Sequence, residues 1–337
     1  MPADLPDDCT RLLDFQHGVI ARWQLPAVGL DSRIIEANLR SSRWQSLYRG
    51  IYAAYTGDPP RECMQWAAVL RAGEGSALSH HSAAELDHLT DTQSDVIHVT
   101  VGHDRRVRIP SAERHLRAPH IVIHRTDRIA AIRHPARTPP RTRIEETVLD
   151  LAQQAASFDE AFSWLSRGCG RRLVTPELLV AAARQRRRLR WRGEILGALG
   201  SIGEGVHSNL EWRYLRDVER AHVLPEPKRQ ARTARGGRSQ YSDNLYEEFG
   251  VVVELDGRAA HLVEDRWRDI HRDNFSARSG IITLRFSWAD VTRRPCQTAA
   301  EICDVLRLRG WDDFARSCGP RCALAASLGP ASIGQAI

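Results

Sequence analysis

The segment Gly250-Val251-Val252-Val253-Glu254-Leu255-Asp256-Gly257 decides how the last third of the chain folds. Its continuous apolar run is typical of a strand that is buried on both faces. The run ends in two acids, Glu254 and Asp256. Because side chains two residues apart leave a strand on the same face, both carboxylates are expected on one side of the sheet.

Two further strands and three helices are predicted around this segment. Residues 240–246 alternate as a strand does, and residues 281–286 form a second buried apolar run. Helices are expected over 208–218, after position 261 and over 298–309. The order helix, strand, strand, helix, strand, helix predicts a mixed sheet flanked by helices.

Carboxylates lie near the ends of two adjacent predicted strands, at Asp243 and Glu254. Burying both costs several kcal/mol unless a positive charge lies between them. A hard divalent cation such as Mg²⁺ binds through one or two carboxylates together with a substrate phosphate. Glu211 on the preceding helix can add a further acid, and His261 can act as a general base or acid. This pattern favours metal-assisted phosphodiester hydrolysis.

A structural interpretation of the same residues stays open. Ser208 and Glu211 match a capping box at a helix start. The acids can also be solvated strand ends that form salt bridges with arginines, here Arg268, Arg272 and Arg285.

The first 57 residues predict short helices over 10–17, 22–28 and from Asp31 or Ser32 onward, followed by two strands within 44–53. This order is that of a winged helix-turn-helix. The third helix would read DNA, since Arg and Asn recognise guanine and adenine edges. Its outward residues include Arg33, Asn38, Arg40 and Arg43. They can equally form a solvated helix face.

Arginine dominates the basic residues: Lys228 is the single lysine among 48, and the formal net charge is +6. A GC-rich genome explains this ratio, while Arg side chains also suit phosphates. Six arginines lie between positions 184 and 192, either as a phosphate-binding strip or as a solvated basic helix end.

Several classes of protein and site are not expected. The seven cysteines show no C-x-x-C spacing, so they are interpreted as reduced thiols without structural zinc. The adjacent His80 and His81 point about 100° apart on a helix and rarely chelate together. No run approaches 18 apolar residues, and the N-terminus is acidic, so a cytoplasmic protein without membrane contact is expected.

Residues 207–311 resemble the very-short-patch-repair endonuclease-like domain of unknown function, a branch of the PD-(D/E)xK nuclease superfamily. The resemblance implies that Asp243 and Glu254 bind a metal and that Glu211 is the acid carried by the helix. It also places Asp256 and His261 where repair endonucleases carry two active-site histidines. The E-x-K motif of the superfamily reads Glu254-Leu255-Asp256 here, without its lysine, as in the repair branch. The matching residues are Glu211, Ser242-Asp243, Val253-Glu254-Leu255-Asp256-Gly257, His261, Asp269, Arg272, Gly280 and Leu284-Arg285-Phe286.

Residues 8–90 resemble the winged-helix antitoxin and regulator family of abortive-infection toxin–antitoxin systems. That family binds operator DNA through its winged helix. The matching segments are 15–20, Trp44, 49–52 and 78–84.

We therefore predict a multidomain α+β or α/β protein with four parts. These are a winged helix-turn-helix (1–57), an α/β middle region of antitoxin type with a basic helical segment (58–199), a restriction-endonuclease-like domain (200–316) and a disordered tail (317–337). The expected function is DNA binding with endonuclease activity dependent on Mg²⁺ or Mn²⁺. The alternatives are a non-enzymatic antitoxin-type regulator with a silent nuclease fold, and a nuclease that acts on RNA. DNA is the expected partner, together with a cognate toxin if one exists.

Overall fold

The computed structural model describes residues 5–107, 118–203, 206, 208–235, 238–256 and 280–324, with backbone alone over 231–235 and 238–242. The chain divides into two compact units, Met1–Gly193 and Glu194–Ile337. Helices alternate with three small sheets, so the mixed α/β composition predicted from the sequence is confirmed at this level.

Unit 1 is built from short helices and two three-stranded sheets. The helices are α1 (Asp7–Phe15), a 3₁₀ helix (Arg22–Val28), α2 (Ser32–Arg40), α3 (Arg61–Ala72), α4 (His80–Leu86), α5 (Ile129–Ile132), α6 (Ile144–Gln154), α7 (Phe158–Gly170) and α8 (Pro176–Gln185). The strands are β1 (Val19–Ala21), β2 (Gln45–Tyr48), β3 (Ile51–Ala53), β4 (Ala77–Leu78), β5 (Val96–Gly102) and β6 (His120–Thr126).

The start of the chain follows the expected local rules. Gly29 ends the 3₁₀ helix with φ +68°, a conformation that glycine adopts without strain. Asp31 caps α2 by accepting the N–H of Arg33. β2 and β3 pair antiparallel, and β1 pairs with the other edge of β3. The predicted helices and strands are confirmed in this part.

One core joins the first sheet to the middle region. Tyr48 and Ile51 from the first sheet share an apolar cluster with Trp66 of α3 and with Val99 of β5. In the second sheet β5 pairs parallel with β6 and antiparallel with β4. This register places alternate residues of β5 and β6 on one face, and several histidines lie there.

Unit 2 holds a four-stranded mixed sheet of order β10-β9-β8-β7. The strands are β7 (Lys228–Arg235), β8 (Arg238–Tyr246), β9 (Val251–Asp256) and β10 (Ile282–Ser287). The helices are α9 (Arg192–Gly203), which begins at the division between the units, α10 (Asn209–Arg213), a π-helical segment (Tyr214–Arg220), α11 (Trp288–Arg293) and α12 (Pro295–Leu308). A 3₁₀ turn (Glu247–Phe249) joins β8 to β9.

The central strand β9 is buried as its sequence predicts. Val251, Val252 and Val253 are fully buried. β9 pairs antiparallel with β8 and parallel with β10. Strand β7 was not predicted, because Lys228–Arg235 is mostly charged and polar and depends on pairing with β8. The helix expected after position 261 lies outside the described residues.

The segment after α12 packs into the core of unit 2. Ala315, Cys322 and Leu324 are buried in its core cluster, within a stretch that the sequence analysis partly assigns to a tail. Among the described residues no helix combines the length and apolar character needed to cross a bilayer.

Candidate functional site

The proposed catalytic acids lie where β8 and β9 separate. The last backbone pair between these strands joins Asn244 to Val253. One residue further on, the Asp243 carboxylate accepts the N–H of Leu255 at 2.8 Å. The Asp243 side chain thus replaces a backbone acceptor of β8. The N–H of Leu255 therefore keeps a hydrogen bond although the two strands separate. Glu254 and Asp256 continue beyond this point and pair with β10 alone.

Three other predicted acids contribute to the electrostatic environment of Asp243. Burial raises the pKa of Asp243, and the charges of Glu211, Glu254 and Asp256 raise it further, against the opposing effect of the Leu255 hydrogen bond. A carboxyl that feels three neighbouring carboxylates is favoured in its neutral form unless a cation approaches. The structure therefore brings Glu211, Asp243, Glu254 and Asp256 into one region.

Glu254 has a positive partner on the neighbouring strand. Nε of Arg285 lies 3.1 Å from Oε2 of Glu254, and the two residues are directly paired in the β9–β10 register. The Glu254 side chain is only 13% exposed. The salt bridge anticipated from the sequence for Arg285 is confirmed, while Arg268 and Arg272 lie outside the described residues.

Glu211 lies in the first turn of α10. The hydroxyl of Ser208 accepts its N–H at 3.1 Å, which confirms the predicted helix cap. The capping position and the contribution to the acidic region coexist, since the cap uses the backbone of Glu211 and the electrostatic effect on Asp243 comes from its side chain. His261, the proposed base, lies outside the described residues.

A buried polar network that was not predicted from the sequence lies beside the acids. Glu219, in the π-helical segment, accepts two bonds from Arg229 at 2.6 and 3.1 Å. Arg229 also donates to Oδ1 of Asn244 at 3.4 Å, next to Asp243. Burial raises the pKa of Glu219 to about 7 despite the neighbouring arginine. The network ties the helix that carries Glu211 to the strand that carries Asp243. The feature of the sequence that indicates this network is an acid, Glu219, which lies two helical turns after Glu211.

The four acids are not arranged as a closed metal cage. Over the described residues, two sets of at least three metal-binding side chains have all their ligand atoms within 4.8 Å of one another, and neither contains these carboxylates. A Mg²⁺ ion held by one or two carboxylates takes its remaining ligands from water or substrate and does not need such a cage.

Three arginines on and just after the proposed DNA-reading helix α2 face solvent. Arg33, Arg40 and Arg43 are exposed. Asn38 is half-buried, and its amide donates to the carbonyl of Ile34 at 2.9 Å. The fourth predicted reader is thus engaged within its own helix.

The arginine-rich segment folds differently from the helix end considered above. α8 ends at Gln185. Arg186 then turns inward and pairs with Glu146 at 2.6 Å and with Asp150 at 2.8 Å. Its side chain is 9% exposed, so it stabilises unit 1 rather than forming part of a solvated strip. Arg187 and Arg188 are exposed.

A histidine cluster lines a cleft of about 810 Å³ in unit 1. The rings of His80 and His124 stack with centroids 3.8 Å apart, and Nδ1 of His98 lies 3.0 Å from Nε2 of His124. Burial lowers the pKa of His80 to about 2 and that of His98 to about 4, with neighbouring charges adding to the effect. The rings stacked on His80 therefore come from His98 of β5 and His124 of β6, not from the adjacent His81. The register between β5 and β6 brings these residues together.

Comparisons with known proteins assign no family to the chain. No protein-family model matches it, and no curated protein matches it.

Proposed function

We propose that unit 2 binds Mg²⁺ or Mn²⁺ and hydrolyses phosphodiester bonds in DNA. The observation that carries this proposal is the position of Asp243 and Glu254 on neighbouring strands where β8 and β9 part. Burial raises the pKa of Asp243, and the charges of Glu211, Glu254 and Asp256 raise it further. These carboxylates are partly buried, and a divalent cation would offset their mutual repulsion. Their oxygens are the hard ligands that these ions prefer.

Two residues would hold the cation. The Leu255 N–H fixes one oxygen of Asp243 and so orients the second. Glu254 projects from the neighbouring strand, and both residues lie where β8 and β9 part. A bound divalent ion would polarise a phosphoryl oxygen and lower the pKa of a coordinated water. Glu211 and Asp256 would add negative charge that strengthens cation binding.

The described residues place no lysine at the position of the E-x-K motif. Asp256 occupies its position, and Lys228 forms an exposed ion pair with Glu247 elsewhere in the unit. Arg285 forms an ion pair with Glu254. A guanidinium beside the metal site could also donate to a phosphate oxygen, a pairing that Arg geometry favours.

DNA binding would be shared with unit 1. The exposed Arg33, Arg40 and Arg43 on and after α2 suit phosphate and base contacts. The net charge of +6 adds a general attraction to nucleic acid.

A second candidate function is a non-enzymatic regulator of antitoxin type, with or without a cognate toxin. The Arg285–Glu254 ion pair favours it, because an internal cation already compensates one of the acids. Unit 2 would then serve as a scaffold and unit 1 as the DNA-binding part.

A plasmid-nicking assay separates the two functions. The full chain would be incubated with supercoiled plasmid and Mg²⁺, Mn²⁺ or EDTA, beside Asp243→Asn, Glu254→Gln and the control Glu248→Gln, which lies in an exposed turn. The nuclease proposal expects metal-dependent nicking by the wild type and the control and none by the two site variants. Absence of nicking with intact duplex binding by all four proteins would favour the regulator. A parallel RNA substrate tests the remaining alternative.

A further inference from the structure

Four metal-binding side chains from distant parts of the sequence converge in unit 2. They are His222, Cys296, Cys318 and Cys322, and their ligand atoms all lie within 4.8 Å of one another. His222 follows the π-helical segment, and Cys296 is the second residue of α12. Cys318 and Cys322 belong to the segment after α12. None of the four is among the carboxylates described above.

Two distances in this set match a tetrahedral zinc site. Sγ of Cys296 lies 3.7 Å from Sγ of Cys318, and Sγ of Cys322 lies 3.5 Å from Nε2 of His222. With zinc–sulfur and zinc–nitrogen bonds of about 2.3 and 2.0 Å, a tetrahedron has edges of about 3.8 Å between two sulfurs and about 3.5 Å between sulfur and nitrogen. A disulfide would bring the sulfurs to about 2.05 Å.

The histidine is oriented as a zinc ligand. His222 is fully buried, and its Nδ1 lies 3.0 Å from the carbonyl oxygen of Val218. That carbonyl can only accept, so Nδ1 carries the proton and Nε2 presents its lone pair toward Cys322. Histidine ligands of metals are commonly fixed through the second ring nitrogen in this way.

Backbone hydrogen bonds hold the segment that carries Cys318 and Cys322 beside His222. The N–H of Arg316 donates to the carbonyl of His222 at 2.7 Å. The N–H of Cys322 donates to the carbonyl of Gly319 at 3.0 Å, which forms a turn between Cys318 and Cys322. The C-x₃-C spacing is therefore folded into a compact loop over His222.

We propose that His222, Cys296, Cys318 and Cys322 bind one zinc ion as a structural site. Four protein ligands complete a tetrahedron and leave no position for water or substrate, which is the mark of structural zinc. The ion would fasten the segment after α12 to the helical side of unit 2. The proposal does not depend on nuclease activity.

Metal analysis of the purified full chain provides the first test. Elemental analysis of protein prepared without chelators is expected to find about one zinc per chain. Cys296→Ser and His222→Gln are each expected to lose it. Three controls should keep it: Cys303→Ser, a buried cysteine of the same core, Cys169→Ser in unit 1, and Asp243→Asn at the acidic region. Zinc retained by both ligand variants would overturn the proposal.

Cobalt substitution tests the site in the wild-type protein and needs no amino-acid substitution. The chelated, reduced protein would be titrated with Co²⁺, which gives intense visible bands and a thiolate charge-transfer band only in a tetrahedral thiolate site. We expect saturation at about one equivalent and displacement by Zn²⁺. A weak, octahedral-type spectrum would contradict the site. So would a native Cys296–Cys318 disulfide, detected by mass analysis of the unreduced protein.

Discussion

Arg285 and Glu254 form an ion pair across two parallel strands, with Nε 3.1 Å from Oε2. The strand register pairs the two residues directly, so the guanidinium is placed beside the carboxylate by the sheet itself. Any cation that binds Glu254 must therefore compete with Arg285. The pair thus sets the metal affinity of the proposed site.

Arg285→Gln is expected to tighten Mn²⁺ binding about two- to fivefold, because the lost ion pair is partly exposed and contributes at most about 1 kcal/mol. Calorimetric titration in the absence of DNA measures this. Arg293→Gln, an exposed arginine of α11, should leave the affinity unchanged. Equal affinity in wild type and Arg285→Gln would show that Glu254 does not bind the ion.

Two substitutions at Asp243 should differ in stability although both remove the charge. Asparagine keeps an oxygen for the Leu255 N–H, whereas alanine leaves that donor without its partner. We expect Asp243→Ala to lose about 1 kcal/mol or more relative to Asp243→Asn. Urea unfolding followed by circular dichroism measures the difference. Identical midpoints would mean that the hydrogen bond does not support the separation of β8 and β9.

The histidine cluster predicts acid sensitivity of unit 1. The pKa of His80 is about 2 in the folded protein, because of burial and then of His124, His98 and Arg186. In the unfolded chain it is near 6.5, so the unfolded state takes up the proton first as pH falls below that value. Stability is therefore lost below about pH 6.5, by roughly 1.4 kcal/mol at about pH 5.5 for this one group.

His80→Asn tests that linkage, since asparagine tolerates the positive φ of +50° at this position. Oδ2 of Asp150 lies 4.0 Å from Nδ1 of His80 and would attract a protonated imidazole. Burial raises the pKa of Asp150 to about 6, so this carboxylate loses its charge over the same pH range and the attraction weakens. The variant should lose less stability than the wild type between about pH 7.5 and about pH 5.5, by about 1 kcal/mol. Urea midpoints at both pH values measure this, and equal acid losses would refute it.

Arg186 and Arg187 are neighbours with opposite roles. Arg186→Met removes the arginine partner of Asp150 and leaves Glu146 with Arg128, and it should cost about 3 kcal/mol. Arg187→Met changes an exposed side chain and should stay within about 0.5 kcal/mol of the wild type. Thermal unfolding compares the two. If Arg186→Met were stable but defective in DNA binding, the phosphate-strip interpretation would return.

DNA binding through α2 predicts a change in salt dependence. Arg40→Gln should weaken duplex binding at each salt concentration and reduce the slope of log affinity against log salt by about 0.9, the value for one phosphate contact. Arg11→Gln, an exposed arginine of α1, serves as the control. Fluorescence anisotropy over a salt series gives both slopes. An unchanged slope for Arg40→Gln would remove this arginine from the interface.

Local signals predicted most of the elements. The cap at Asp31, the glycine stop at Gly29 and the apolar run of β9 act within a few residues, so the sequence alone carries them. Order and spacing also placed Asp243 and Glu254 on adjacent strands, and β8 and β9 are neighbours in the sheet. Asp243 shows this proximity in its electrostatics.

The remaining features depend on tertiary pairing. His98 and His124 meet because β5 and β6 pair in one particular register, which single-sequence patterns do not contain. Arg186 was grouped with its arginine neighbours because nothing local marks its inward turn. The cysteines were judged by C-x-x-C spacing, a rule that misses ligands separated by 100 positions, as His222 and Cys322 are.

The buried residues after α12 bear on the order in which unit 2 is made. Ala315, Cys322 and Leu324 complete a core that also contains Val251 and Ile302. A nascent chain that has emerged from the ribosome only as far as α12 has its sheet but leaves part of that core open to water. Unit 2 therefore reaches its final packing only after residue 324 has been released from the exit tunnel. During synthesis its apolar surface is available to chaperones until that moment.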